Sequence, residues 1–275
     1  MRLNDVDLHV TVDGQGPPLL LLHGFSGSLR SWDDVRLRLR DRATLIAIDA
    51  LGHGQSSAPD DPSRYSLEWL SRDLLALLDA LHLPSAAVLG YSMGGRMALF
   101  FAVQHPTRVR HLILASASPG IEEPRERQQR IASDEALATR IERDGIEAFV
   151  AEWERLPLLR LAPHVPDDVR AAQTTLRLQN RPSGLANSLR GAGTGQQPSL
   201  WADLAHLRLP VTLLAGELDT RYVRIAERMQ ALLPTSTLHV LEAAGHTSHV
   251  DQPDEFTSVL TLALDNKLTP SAERC

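Results

Sequence analysis

Short apolar runs recur along the chain and alternate with segments whose apolar residues have a helical period. Most of the runs are continuously apolar, which is typical of strands covered on both faces, as in a mostly parallel sheet with helices between the strands. The predicted strands cover residues 7–12, 19–23, 44–48, 86–90, 111–116, 211–216 and 237–241. The predicted helices cover residues 66–81, 94–104, 221–232 and 253–266.

The alternation stops between Ser118 and Leu207, where the sequence is charged, helix-prone and punctuated by proline. Predicted strands flank this segment on both sides. We therefore interpret residues 119–206 as a helical insertion into an α/β core that comprises residues 1–118 and 207–275. Because ligands of such sheets bind at the carboxyl ends of the strands, an insertion there would be a cap over the site.

Composition and charge exclude several classes of protein. The 275 residues carry 28 Lys and Arg against 34 Asp and Glu, a formal net charge of −6, without the basic excess of a nucleic-acid-binding protein. The single cysteine, Cys275, is the last residue, so the chain has no disulfide framework. The N-terminus lacks the apolar region of a secretory signal, and the longest apolar run, PPLLLLHGF, is too short to cross a bilayer. We expect a soluble, cytoplasmic protein without nucleic-acid or membrane partners, whose polar end SAERC is frayed.

The segment AAVLGYSMGGRMALFFA carries the strongest chemical motif. A predicted strand runs through Gly90-Tyr91-Ser92-Met93-Gly94 directly into a predicted helix. The pattern G-x-S-x-G alone is weak evidence, but between a strand and a helix it is typical of a sharp turn that projects the serine hydroxyl from the helix N-terminus. We therefore predict that Ser92 is the reactive residue, with an ordinary tight turn as the alternative.

A reactive serine needs a base to take its proton and a carboxylate to orient that base. His246 lies in the loop after the last predicted strand, and Asp219 follows the preceding strand. The chain order Ser92, Asp219, His246 is that of α/β-hydrolases. Asp219 could instead cap the helix at 221–232, and His246 could be an ordinary loop histidine. For His249, the sequence leaves a site role and a purely structural role equally open.

Charge that develops on a substrate oxygen needs fixed hydrogen-bond donors, the oxyanion hole. We predict that these are the backbone amides of Met93, directly after the serine, and of Phe25, in the loop HGFSGS. His23 and Gly24 are expected to shape that loop. The stretch DALGHGQSS, residues 49–57, is interpreted as a tight structural turn.

A second glycine-rich stretch, LRGAGTGQQPSLW, has glycines at positions 191, 193 and 195. Glycine clusters that bind nucleotides lie between a strand and a helix, and the P-loop adds a lysine. This stretch follows a helix-like segment, lacks lysine and lies where the insertion rejoins the core. It therefore does not favour a nucleotide site.

Core and insertion together resemble the 2-succinyl-6-hydroxy-2,4-cyclohexadiene-1-carboxylate synthase family of the α/β-hydrolase superfamily. The resemblance lies in GYSMGGRMAL, ASASPGIEEPRERQQR, FVAEWERLPL and GLANSLRGAGTGQQPSLW. The insertion sequence weighs most, because unrelated chemistries share the core. The resemblance implies an α/β-hydrolase fold with an eight-stranded, mostly parallel sheet, helices on both faces and a mobile helical cap. It also implies the elimination of pyruvate from 2-succinyl-5-enolpyruvyl-6-hydroxy-3-cyclohexene-1-carboxylate in menaquinone biosynthesis, without a cofactor or a metal.

The substrate of that family carries several carboxylates, for which fixed guanidinium groups are suitable partners. By resemblance, the substrate-binding positions are Tyr91, Arg96, Arg127, Trp153 and Arg177. The choice of Arg127 over Arg125 is a judgement between neighbours. Independently of the family, Arg96 lies one helical turn after Ser92 and therefore near it, with a salt bridge along the helix as the alternative role.

We expect Ser92, assisted by His246 and Asp219, to act mainly as the base that removes a substrate proton. The first alternative is a carboxylesterase or carbon–carbon bond hydrolase in which the same serine is a nucleophile. Fast ester turnover with an acyl burst and no elimination would favour it. The second alternative is a binding protein without catalysis on the same fold, and an intact triad argues against it.

Overall fold

The structure is a computed structural model that describes residues 1–265; Cys275 and the predicted frayed end lie outside the described residues. The strands in this part of the chain are β1 Arg2–Leu3, β2 Val6–Asp7, β3 Val10–Gly14, β4 Pro18–Leu22, β5 Thr44–Ile48, β6 Ala86–Tyr91, β7 Val109–Ala115, β8 Val211–Gly216 and β9 Ser236–Leu241. The α-helices are α1 Asp33–Leu39, α2 Leu67–Ala80, α3 Met93–Gln104, α4 Pro124–Trp153, α5 Asp167–Leu178, α6 Pro182–Ala192, α7 Thr220–Leu232, α8 Ser248–Asp251 and α9 Pro253–Asp265.

The main sheet has the strand order β3-β5-β4-β6-β7-β8-β9, and all neighbours are parallel except β3 and β5. The predicted fold class is confirmed, but within residues 1–265 the main sheet has seven strands rather than eight. The predicted strand at 7–12 is divided in two. Val6–Asp7 pairs with Arg2–Leu3 in a separate two-stranded sheet, and Val10–Gly14 forms the antiparallel edge of the main sheet.

The central strands are buried on both faces, as continuous apolarity predicts. Side chains alternate between the faces of a strand, so the run of leucines in β4 contributes to two layers. Leu20 and Leu22 belong to the layer that includes residues of α2, α3 and α7, whereas Leu19 and Leu21 belong to the layer with residues of α1 and α9. Helices therefore cover both faces of the sheet beneath the loops at its carboxyl edge.

Local start signals place two of the predicted helices. The Ser66 hydroxyl accepts a hydrogen bond from the amide of Trp69 and caps α2, and Pro253 is the first residue of α9. The predicted last residue of α9, position 266, lies outside the described residues. Helix α1 was not predicted, because seven residues give too few helical periods to stand out. No helix in the described part of the chain is both long enough and apolar enough to span a membrane.

Helices α4, α5 and α6 fill the segment between β7 and β8, where no strand is assigned within the described residues. Helix α4 changes direction at Gly145, whose φ is 83°. The glycine-rich stretch packs this layer closely on its surroundings. A Cβ at Gly191 would lie 2.3 Å from the carbonyl oxygen of Pro62, and one at Gly195 would lie 2.7 Å from the backbone nitrogen of Ile131. These glycines therefore allow close backbone packing.

Candidate active site

Ser92 lies at the bend between β6 and α3, with φ 51° and ψ −108°. A positive φ is unfavourable for a residue with a side chain, and the surrounding backbone imposes it. A Cβ at Gly94 would lie 2.1 Å from the carbonyl oxygen of Leu22, and one at Gly90 would lie 2.2 Å from that of Gly94. Both glycines of the motif are therefore required by the close approach of α3 to β4 and β6.

Two loops at the same edge of the sheet bring a histidine and a carboxylate to this serine. The Nε2 atom of His246 lies 3.0 Å from Ser92 Oγ, and its Nδ1 atom lies 2.7 Å from Asp219 Oδ2. His246 and Asp219 are buried. Asp219 also caps α7, because its Oδ1 accepts a hydrogen bond from the amide of Tyr222 at 3.2 Å. The two roles considered for Asp219 thus use different oxygens of one carboxylate.

The loop after β4 and the start of α3 hold the two amides of the predicted oxyanion hole. Met93 is the first residue of α3, so its N–H has no acceptor within the helix. The loop that carries Phe25 is fixed by buried His23, whose Nδ1 donates to Gly24 O at 2.7 Å and whose Nε2 accepts from the amide of Ala50 at 2.9 Å. Burial lowers the pKa of His23, which favours this neutral form. The oxyanion role itself stays a prediction.

Tyr91, Trp153 and Arg177 line one cavity together with Phe25 and His249. The Tyr91 hydroxyl is 3.1 Å from Thr247 Oγ1, and burial raises the pKa of Tyr91. The rings of Phe25 and Trp153 meet edge to face with their centroids 5.4 Å apart, which joins the insertion to the loop that carries Phe25. Three of the five predicted substrate-binding side chains therefore lie together.

Arg96 and Arg127 instead reach the segment that closes the insertion. Arg96 Nη1 donates to Ala192 O at 2.8 Å, with Gln197 Oε1 3.5 Å away. Burial lowers the pKa of Arg96 to about 10. In residues 1–265 no carboxylate lies within salt-bridge distance of it, so the salt bridge considered along the helix is not formed there. Burying a cation without an anionic partner costs free energy. A substrate carboxylate bound to Arg96 would supply the missing negative charge.

Arg127 donates to the carbonyl oxygens of Gly195 at 2.7 Å and Gln196 at 3.2 Å. Arg125, its neighbour in the motif, is exposed. The geometry therefore favours the choice of Arg127 over Arg125. Its role in substrate binding stays a prediction.

Two residues near the triad were not found from the sequence. The ring of Tyr222 lies 4.6 Å from that of His246. Asp251 is buried and accepts hydrogen bonds from the amides of Ala162 at 2.9 Å and Gly245 at 2.8 Å, so it joins the insertion to the loop before His246. A tyrosine early in a helix and an aspartate after a loop are common, so no sequence pattern distinguishes them. Among residues 1–265 no group of three or more His, Cys, Asp or Glu is arranged to hold a metal ion.

His249 is buried among aromatic rings. Its ring centroid lies 4.9 Å from that of Trp32, 4.7 Å from that of Tyr91 and 5.8 Å from that of Phe256. Burial, together with the nearby charges of His246 and Arg177, lowers the pKa of His249 to about 3. These contacts favour the structural role among the two considered for this residue.

Replacement of His249 by phenylalanine is expected to reduce the acid sensitivity of the fold. Between pH 6.5 and about 3 the unfolded chain binds a proton at this histidine and the folded chain does not, so wild-type stability falls as the pH falls. At pH 5 this costs about 2 kcal/mol relative to pH 7. Urea unfolding at both pH values should show a smaller loss in His249→Phe than in wild type. Exposed His206→Phe is the control, and equal losses in all three proteins would contradict the prediction.

The order of the strands and the sharp turn at Ser92 between β6 and α3 define the class of protein. The alpha/beta hydrolase fold family matches residues 17–253, and the chain belongs to this family. Within it, the chain belongs to the 2-succinyl-6-hydroxy-2,4-cyclohexadiene-1-carboxylate synthase family, as the following similarities show.

The chain is 43% identical over 243 residues to a Bacillus subtilis (strain 168) protein to which this synthase activity is provisionally assigned, with 88% of each chain covered. It is 32% identical to the synthase of Enterobacter sp. (strain 638), with 90% of this chain and 92% of that one covered. The structure of MenH from S. aureus superimposes with a TM-score of 0.89 at 34% identity, covering 94% of this chain and 97% of that one. The resemblance stated from the sequence is confirmed.

Proposed function

We propose that this chain eliminates pyruvate from 2-succinyl-5-enolpyruvyl-6-hydroxy-3-cyclohexene-1-carboxylate to give 2-succinyl-6-hydroxy-2,4-cyclohexadiene-1-carboxylate, a cytoplasmic step of menaquinone biosynthesis. It is a carbon–oxygen lyase on an α/β-hydrolase fold. The observation that carries this proposal is one juxtaposition, in a chain similar throughout to synthases of this name. The hydrogen-bonded pair Ser92–His246 lies one helical turn from a buried arginine, Arg96, that has no carboxylate partner within residues 1–265.

The reaction begins with the hydrogen on ring carbon 2, which is acidic because the succinyl carbonyl is attached there. Ser92 Oγ takes this proton while its own proton passes to His246 Nε2, and Asp219 stabilises the imidazolium that forms. The C–H electron pair forms the C2=C3 bond, the former C3=C4 pair forms C4=C5, and the C5–O bond breaks. The departing enolate takes the proton held by His246 at its methylene carbon and leaves as pyruvate. No acyl-enzyme is required.

Negative charge collects on the succinyl carbonyl oxygen as the proton leaves. Donors fixed in advance at that oxygen lower the barrier because they need not reorganise during the reaction. The amides of Phe25 and Met93 fit this role by their position, one at a fixed loop and one at a helix N-terminus. The positive end of the α3 dipole adds to the effect.

Three carboxylates on the substrate, in the succinyl, enolpyruvyl and ring positions, can be matched by Arg96, Arg127 and Arg177. Tyr91 and Trp153 would provide the walls between them. Residues 119–206 would then act as a cap on the core of residues 1–118 and 207–275, because that insertion supplies Arg127, Trp153 and Arg177. Water exclusion by this cap would strengthen each charge-assisted hydrogen bond.

The direct test is to supply the enolpyruvyl substrate to the purified chain and to follow pyruvate release and diene absorbance together. We expect the two products to appear at equal rates without any added cofactor. Release of p-nitrophenol from simple esters in an acyl burst, with no pyruvate, would replace the proposal by the carboxylesterase alternative. Disappearance of free substrate without either product would replace it by the binding-protein alternative.

A further inference from the structure

Glu154 holds one of the three arginines assigned to the substrate. Its Oε1 atom accepts a hydrogen bond from Arg177 Nη1 at 2.8 Å and another from Thr174 Oγ1 at 2.8 Å. Glu154 directly follows Trp153 at the end of α4, and both donors lie on α5. The ion pair therefore joins two helices of the insertion beside the cavity that Trp153 and Arg177 line.

The other two arginines are held differently. Arg96 and Arg127 donate to backbone carbonyl oxygens, which are dipoles, and neither guanidinium forms an ion pair within residues 1–265. Arg177 is paired with a full negative charge of the chain itself. An incoming substrate carboxylate could therefore form a new ion pair with Arg96 or Arg127, whereas Arg177 already forms one with Glu154.

The exposure of the two partners indicates which of them can give way. The side chain of Arg177 is 13% exposed and that of Glu154 is 32% exposed. Glu154 can therefore turn toward solvent with little loss of packing, whereas Arg177 stays beside the cavity. A substrate carboxylate can replace the Glu154 carboxylate at the same guanidinium nitrogen, with the same charge and geometry.

We infer that Glu154 is an internal competitor for the substrate carboxylate at Arg177, and that it sets the affinity and the selectivity of the site for polycarboxylates. This inference rests on the proposed function of the same site. A ligand with a carboxylate in this position replaces Glu154 and recovers the ion pair. A neutral ester carries no charge with which to replace Glu154, so the ion pair between Glu154 and Arg177 stays formed. The contact therefore also selects against ester substrates.

The test is Glu154→Gln, which keeps the size of the side chain and removes its charge. We expect the KM for the enolpyruvyl substrate to fall by about three- to tenfold, the range expected for a partly exposed ion pair and one removed like charge. When Arg177→Gln is also present, Glu154→Gln should have no effect on KM, because the arginine for which Glu154 and the substrate compete has been removed. Glu152→Gln, an exposed glutamate two residues away that pairs with Arg140, is the matched control for the change in net charge.

A purely structural ion pair predicts the opposite sign. If Glu154 only holds Arg177 in place, Glu154→Gln will raise KM, and that result, like an unchanged KM, overturns the inference. Calorimetric titration of the substrate into Ser92→Ala and into the double variant Ser92→Ala/Glu154→Gln gives a second readout that needs no turnover. Tighter binding by the double variant is expected, and equal or weaker binding overturns the inference. If the unchanged chain releases no pyruvate, the proposed function itself is wrong, which is a different outcome from a failure of the inference about Glu154.

Discussion

Ser92→Ala is expected to lower kcat for pyruvate release by about a thousandfold or more, as removal of a triad serine does elsewhere. The hydroxyl lies 3.0 Å from His246 Nε2 and is the group that would contact the substrate proton. KM should change little, because Ser92 contributes nothing to the carboxylate contacts. Single-turnover measurement of pyruvate separates the chemical step from product release.

The control for this variant is Ser258→Ala, an exposed serine of α9 whose hydroxyl donates to Asp254 O of its own helix. It should retain the wild-type kcat. Mass spectrometry of the unchanged enzyme during turnover should find no adduct on Ser92, because the proposed chemistry forms none. A Ser92→Ala protein that keeps a tenth of the wild-type kcat would remove the serine from the mechanism, and an acyl adduct would favour the nucleophilic alternative.

Arg96→Met is expected to lower kcat/KM by about a hundredfold or more while leaving the protein as stable as before, or more stable. The loss of rate reflects removal of a charge-assisted contact to the substrate in a buried position. The retained stability has a separate cause. Arg96 is buried and its pKa is lowered to about 10. Within the described part of the chain its guanidinium donates to backbone and amide oxygens rather than to a carboxylate. An apolar side chain of similar length avoids the cost of burying this charge.

Arg64→Met is the matched control, because it makes the same substitution at an arginine of opposite character. Arg64 forms two hydrogen bonds to the buried carboxylate of Asp73, at 2.9 and 2.8 Å. Its removal leaves the buried Asp73 carboxylate without its cation, although the Asn4 amide still donates to it at 3.0 Å, so Tm should fall while kcat/KM stays at the wild-type value. Urea unfolding and steady-state kinetics on both variants measure the two effects. A destabilised Arg96→Met with normal kcat/KM would assign Arg96 to the fold rather than to the substrate.

Much of the core could be predicted because its signals are local. Five consecutive residues, Gly90 to Gly94, specify the bend at the serine, since only glycine fits where α3 touches β4 and β6. The strands at 44–48 and 211–216 have the predicted boundaries, because a strand buried on both faces is a short apolar run with polar ends. The order of Ser92, Asp219 and His246 follows from the order of the strands. The insertion sequence then identified the family.

The remaining features depend on contacts between distant parts of the chain. The antiparallel edge at β3 is decided by pairing with β5, and the segment 7–12 carries no mark of the break within it. Arg127 and Arg125 have the same chemistry, and only the course of α4 past residues 195–196 distinguishes them. The same holds for the pairing of Glu154 with Arg177, 23 residues away.

The sequence by itself determined the class of fold and predicted that Ser92, Asp219 and His246 act together, because periodicity and backbone sterics act within a few residues of the chain. The tertiary structure decided which charged side chains meet. Arginines and carboxylates are numerous and alike in sequence, and an electrostatic partner is selected by distance and burial, both of which exist only once the chain has folded.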